Sequence, residues 1–177
     1  MGAADRLSAL RAELAARKLD GFVIPLTDEH MSEYVGGYAQ RLAWLTGFGG
    51  SAGSAVVLAK TAAIFTDGRY TLQVRDQVDG ALYAYCDLPA TQPADWLAAE
   101  AQAGARIGYD PWLHTRDWVA KARAALEAKG AKLVAVDSNP IDAIWADRPA
   151  PSLAPAVPHG LEYAGKSHED KLTDIAE

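Results

Sequence analysis

Apolar positions along the chain come in two patterns, a repeat near 3.6 residues and short unbroken runs, and their alternation predicts the order of elements. Leu7, Leu10 and Leu14 recur at helical spacing, so Ala3 to Lys18 reads as an amphipathic helix stopped by Gly21. Phe22 to Leu26 is a first short strand. The segment Thr27 to Arg41 is polar and broken by glycine, which reads as a loop, with a short helix over Gln40 to Leu45. Val56 to Leu58 and Ala62 to Phe65 are two apolar runs separated by so few residues that they predict a tight antiparallel pair. Tyr70 to Val78 reads as a short helix and Leu82 to Leu88 as a fourth strand. Pro93 opens a helix running to about Gln102, with Gly104 at its C-terminal stop, and Arg106 to Tyr109 is a fifth strand. Over Thr115 to Lys129 the helical period is clearest, with Trp118, Val119, Ala122 and Leu126 on one side and Gly130 at the end. Lys132 to Val136 closes the count at six strands. Helix-length segments between the later strands favour parallel crossovers, so the expected fold is α/β: a mixed six-stranded sheet covered by helices.

The pattern changes at Asp147. Four prolines and two glycines fall within Asp147 to Ser167, which predicts a linker over residues 148–166 after a domain over residues 1–147. Ser167 to Asp170 is the Ser-x-x-acid signature of a helix start, and Leu172 and Ile175 begin an apolar face. Residues 167–177 are therefore expected to be the start of a helix belonging to a following, absent domain.

Composition narrows the function classes. With 177 residues, half of them apolar, the chain can bury one real core. A net charge of −6, with no basic run, argues against a nucleic-acid groove or an anionic membrane surface as partner. No apolar run approaches the ~20 residues of a membrane span, and the N-terminus lacks a signal-peptide core, so a cytoplasmic chain is expected. Cys86 is the only cysteine, which leaves no internal disulfide and no thiolate cluster.

Four constellations can carry chemistry. Gly47, Gly49, Gly50 and Gly53 crowd into seven residues, a density suited to positive-φ turns or to close approach of another surface. Gly49 to Gly53 also fits G-x-S-x-G, which would make Ser51 a nucleophile with His114 or His159 as base. A nucleophile elbow needs a strand before it, and here the strand follows. The same glycines lack the lysine and the strand-loop-helix order of a phosphate cradle. Asp28, Glu29, His30 and Glu33 gather carboxylates and an imidazole, and a helical turn there would let His30 and Glu33 share a metal. The other histidines lie far off in sequence, so a hydrogen-bonded loop accounts for these residues more simply. Lastly, Arg69 follows an apolar strand, in Thr66-Asp67-Gly68-Arg69-Tyr70. Its rigid donor fork suits a carboxylate or peptide clamp, and an ion pair with Asp67 or Asp110 is the structural alternative.

The runs PLTDEHMSEY, RLAWLTGFGGSAGSAVV, FTDGRYTLQ, RIGYDPWL, NPIDAIWADRP and LEYAGKSHEDKL, in this order, closely resemble the N-terminal domain of Xaa-Pro aminopeptidases (aminopeptidase P), relatives of creatinase and prolidase. The resemblance extends from about residue 20 to the C-terminus, and the IWADRP and YAGKS segments look like the three-domain subtype. It implies a three-layer α/β/α domain of ribonuclease H-like topology. It further implies a parent enzyme that removes the N-terminal residue from peptides with proline in second place. Two divalent metals, typically manganese, would lie in a C-terminal catalytic domain, and the full-length enzyme would be a homodimer. None of the family's metal ligands maps onto this chain, so no catalytic or metal-binding residue is expected in it. The substrate-contacting arginine of the TDGRY motif falls on Arg69.

On this reading the chain supplies a wall of the substrate cleft and presents Arg69 to a carbonyl or carboxylate of the peptide, with its own C-terminal catalytic domain as partner. Trp44, Phe48 and Tyr70 are candidates for the same wall and equally for the core. A self-contained serine hydrolase using Ser51, or a stand-alone interaction module, are the competing readings.

Overall fold

The computed structural model describes residues 1–177, and in it the six expected strands form one sheet. In chain order they are β1 (Gly21–Pro25), β2 (Ser54–Leu58), β3 (Ala62–Thr66), β4 (Ala84–Asp87), β5 (Arg106–Tyr109) and β6 (Lys132–Ala135). Their spatial order is β4-β3-β2-β1-β5-β6. β2 pairs antiparallel with both β1 and β3, while β1–β5, β3–β4 and β5–β6 are parallel, so β2 alone runs against the other five. The chemistry of the connections explains this. Only three residues join β2 to β3, enough for a hairpin and too few for a crossover. Each later pair is joined through a helix.

The helices are α1 (Ala3–Ala16), α2 (Arg41–Thr46), α3 (Gln73–Gln77), α4 (Pro93–Glu100), α5 (Arg116–Glu127), α6 (Pro140–Ile144), α7 (Leu161–Ala164) and α8 (His168–Ala176). Side chains of the central strands alternate between two cores, as the two-residue period of a strand demands. Phe22 and Ile24 of β1, Ala55 and Val57 of β2, and Ala62 and Ile64 of β3 pack with Leu7, Leu10 and Leu14 of α1, Leu42 and Leu45 of α2, Val74 of α3 and Ile141 of α6. Val23, Val56, Leu58, Ala63 and Phe65 point the other way and meet Leu97 of α4 and Leu126 of α5. Because both faces are covered, the central strands read as continuous apolar runs and not as alternation. The result is the three-layer α/β/α arrangement.

Three differences from the expected elements have physical causes. α6 went unpredicted because its apolar run is short, although Asn139 caps it by accepting a hydrogen bond from the Ile141 N–H and Pro140 occupies its first turn. The stretch over 148–166, expected as linker, contains α7, a single turn between Gly160 and Gly165. The helix expected over Tyr70 to Val78 is split into a 3-10 turn (Gly68–Tyr70) and α3. Elsewhere the expected ends are correct to a residue or two. Ser167 caps α8 by accepting from the Asp170 N–H at 3.0 Å, as the Ser-x-x-acid pattern anticipated.

Register places the site. Pro25, Ser54 and Phe65 are neighbours across β1, β2 and β3, so the segments after β1 and β3 and the glycine loop before β2 emerge together. This is the carboxyl end of the parallel strands, where α/β sheets usually place their ligands.

Candidate functional site

The glycine loop is built by close approach. α2 ends at Gly47, whose φ of +87° is left-handed, and the Gly47 N–H closes the last turn on the Ala43 carbonyl. A β-carbon on Gly47 would also lie 2.9 Å from the Gln77 carbonyl oxygen. At Gly50 a β-carbon would sit 2.8 Å from the Tyr70 ring and closer still to Phe48. At Gly53 it would lie 3.0 Å from Phe48 and 3.1 Å from the Phe65 carbonyl. The loop thus folds tightly over the buried Phe48 ring, which meets Tyr70 edge-to-face with centroids 5.6 Å apart.

Tyr70 connects this loop to Arg69. Its hydroxyl lies 2.7 Å from Ser51 Oγ, and Ser51 Oγ donates to Glu33 Oε1 at 3.1 Å. Hydrogen bonding with the Ser51 side chain and backbone, helped by the Arg69 charge, holds the Tyr70 phenol below its ordinary range. The Arg69 guanidinium sits 5.2 Å from the Tyr70 ring centroid. Asp67 accepts the Arg69 backbone N–H at 3.0 Å and grips the side chain through Nε at 3.0 Å and Nη2 at 2.8 Å. These bonds hold the Asp67 carboxyl below its usual range and raise the arginine further above its own. Nη1 takes no part in them, and the Arg69 side chain is 61% exposed. Of the two ion-pair partners weighed as the structural alternative, Asp67 is the one present. Asp110 is engaged elsewhere, accepting from the Trp112 N–H and from Asn139 Nδ2.

Glu33 comes from a loop (residues 27–40) closed on itself by several bonds. The nearly buried Asp28 carboxylate accepts the backbone N–H groups of His30 and Ser32, each at 3.0 Å. Burial pushes the Asp28 carboxyl up, but those two N–H groups outweigh it and leave the group below its usual range. Tyr38 Oη donates to Glu29 Oε1 at 2.9 Å, and Gln40 Nε2 donates to the Val35 carbonyl at 3.0 Å. Behind the loop lies an ion triad that sequence reasoning missed. Arg41, only 6% exposed, forks onto Asp142 at 2.7 and 2.9 Å, and Arg148 Nη1 reaches Asp142 Oδ2 at 2.8 Å. Arg148 Nε also donates to the Tyr38 carbonyl at 2.7 Å. About a hundred residues separate Arg41 from its partners, so no local spacing could have announced the pairing.

The remaining candidates resolve as follows. Ser51 bonds Tyr70 and Glu33, whereas His114 Nδ1 contacts the Asp110 carbonyl at 2.9 Å and His159 packs beside Tyr163, so no serine-histidine pair is assembled. Nor does a strand precede the G-x-S-x-G stretch, since β2 follows it. His30 and Glu33 lie in loop and not in helix, and no group of three or more His, Cys, Asp and Glu side chains is placed to hold a metal ion. Trp44 stacks on Trp145 at 5.3 Å with Arg6 over its ring, and Phe48 is fully buried, so both belong to packing. Among the three aromatic candidates only Tyr70 faces the site. No helix is long and apolar enough to cross a membrane.

Comparison with known proteins bears on the fold and the family. Residues 6–144 match the creatinase/prolidase N-terminal domain family. The chain is 36% identical to human Xaa-Pro aminopeptidase 2 over 170 residues, covering 96% of this chain and 25% of that protein. It is also 36% identical to a probable Xaa-Pro aminopeptidase P of Aspergillus niger, with 97% and 28% coverage. Among solved structures, the X-prolyl aminopeptidase of Caenorhabditis elegans, a cytosolic enzyme with a di-nuclear active site, superposes with a TM-score of 0.82 at 33% identity, covering 99% of this chain and 31% of that one. The N-terminal domain of the cytoplasmic peptidase PepQ from Mycobacterium tuberculosis superposes with a TM-score of 0.61 at 29% identity, covering 79% of this chain and 98% of that one. The chain spans about a quarter of the length of the curated relatives it matches. Nothing in these relatives favours a serine hydrolase or a stand-alone interaction module. The fold, the family match over residues 6–144 and the likeness to aminopeptidase P relatives over 96% of this chain lead to one assignment: this chain belongs to the creatinase/prolidase N-terminal domain family, in the form carried by Xaa-Pro aminopeptidases.

Proposed function

We propose that the chain is the substrate-gating N-terminal domain of a metal-dependent Xaa-Pro aminopeptidase, and that Arg69 is its contact with the peptide. The parent enzyme releases the N-terminal residue of peptides whose second residue is proline. Its catalytic domain carries two divalent metals, manganese by family resemblance, which activate water and polarise the scissile carbonyl. Residues 1–147 form the gating domain, residues 148–166 connect it, and residues 167–177 begin the part that follows. The parent enzyme acts as a cytoplasmic homodimer.

One observation carries the assignment of Arg69. An exposed guanidinium is held by Asp67 through Nε and Nη2 at the carboxyl end of the sheet, so it is oriented before any ligand arrives. Asp67 offsets most of its charge, which suits the remaining N–H donors to a peptide carbonyl oxygen better than to a free carboxylate.

The test is Arg69→Ala in the full-length enzyme, with kcat/KM measured for short and long Xaa-Pro peptides. Losing a charged donor to the peptide is expected to lower kcat/KM by roughly tenfold or more for at least one peptide length. A change within about twofold for every peptide would leave Arg69 as a surface ion-pair partner of Asp67 and nothing more.

A further inference from the structure

Arg69 is reached from two directions, and the second leads back to the segment that leaves the domain. On one side Asp67 grips its side chain. On the other lies Tyr70, whose hydroxyl is bonded to Ser51, which in turn donates to Glu33 at the tip of the loop over 27–40. That loop is fastened at its far end by Arg148, through the Tyr38 carbonyl, and Tyr38 Oη closes it onto Glu29. Arg148 is itself held by Asp142, which also receives the buried fork of Arg41. Arg148 stands at the junction of the folded domain and the extended segment that begins at Pro149. The network therefore joins that exit to the site through short contacts at both ends of the loop and the loop backbone between them.

We propose that the Arg41–Asp142–Arg148 triad positions Arg69 for substrate, by fixing the loop that carries Glu33 against Ser51 and Tyr70 and referring it to the chain leading out of the domain. This rests on the reading of Arg69 as the peptide contact. Arg41, Asp142 and Arg148 touch no substrate and are positioning residues. Two features favour positioning over simple stability. A hydrophobic plug would fill the same space without the desolvation cost of a buried guanidinium, and forked ion pairs hold an angle as well as a distance. The outer members, Tyr38 and Arg148, are only part-buried and bind loop groups, the Glu29 carboxylate and the Tyr38 carbonyl, and not the core.

The experiment uses the full-length enzyme and a double-mutant cycle between Arg148→Met and Arg69→Ala, with Tyr38→Phe as a second, milder way of loosening the loop. Arg148→Met is expected to raise KM for Xaa-Pro peptides about fivefold with kcat changed less than twofold, and Arg148→Lys, which keeps the charge beside Asp142 but loses the fork, to fall between. In the Arg69→Ala background neither Arg148→Met nor Tyr38→Phe should raise KM further, because both act through Arg69. Equal fold-changes with and without Arg69 would overturn the positioning role while leaving Arg69 as the peptide contact. An Arg69→Ala enzyme with unchanged kcat/KM would overturn both. If Arg148→Met prevents folding, the Tyr38→Phe arm of the same cycle decides the question.

Discussion

Half-buried, with its Nδ1 on the Asp110 carbonyl and its ring 4.1 Å from Trp118, His114 must carry its proton on Nδ1, since a carbonyl only accepts. Its Nε2 is buried without a partner, so protonation would place a charged N–H where nothing receives it. Burial accordingly pushes this imidazole below its ordinary 6.5. Below that pH the unfolded chain takes a proton that the folded one refuses. Stability is therefore complete above about pH 6.5 and falls as the pH drops from there towards the lowered folded value. Urea unfolding of the chain at about pH 7.5 and pH 5.5 should show this slope, and His114→Asn should flatten it; an identical slope in both proteins would refute the account. The sequence showed His114 only as a candidate base for Ser51. Which carbonyl it would meet depended on how Asp110 and Trp118 came together around it.

Among elements, the strands were the most legible, because β1, β2 and β3 are buried on both faces and their apolar runs are unbroken. Short helices were harder. α6 spans five residues, too few for a period to register, and its importance lies in what it delivers. Asp142, itself half-buried, receives Arg41 from α2 and Arg148 from beyond the end of α6. Asp142→Ala would leave the Arg41 guanidinium inside without its carboxylate, an arrangement that costs about 3–5 kcal/mol. Equilibrium unfolding should show a loss of this order, and pairing the change with Arg41→Met should recover most of it. A loss under about 1 kcal/mol would mean that water replaces the carboxylate freely.

For the molecule as a whole, stability resides in the two cores either side of the sheet, and residues 150–177 contribute to neither. None of them is buried, and Leu153, Val157, Leu161, Tyr163, Leu172 and Ile175 are exposed. A chain ending at Pro149 is thus expected to unfold at the same urea midpoint as the longer one, within about 0.3 M, with little change in m, because little surface is hidden by the removed part. A clear fall in midpoint would show that the segment packs on the domain in solution.

The amino-acid order by itself determined the six strands and the longer helices, the hairpin between β2 and β3 and the tight turns of the glycine loop, and it narrowed the ion-pair partner of Arg69 to Asp67 or Asp110. The elements and turns depend on neighbours within a few residues, where side-chain period, chain reach and backbone freedom decide the outcome. Only the tertiary structure decided that Glu33, Ser51 and Tyr70 would meet, that Ser51 would have no histidine, and that Arg41 would find Asp142 across the domain. Those contacts join segments tens of residues apart whose approach is set by strand order and core packing. A one-dimensional pattern carries the propensity of each segment but not the direction from which its partner arrives.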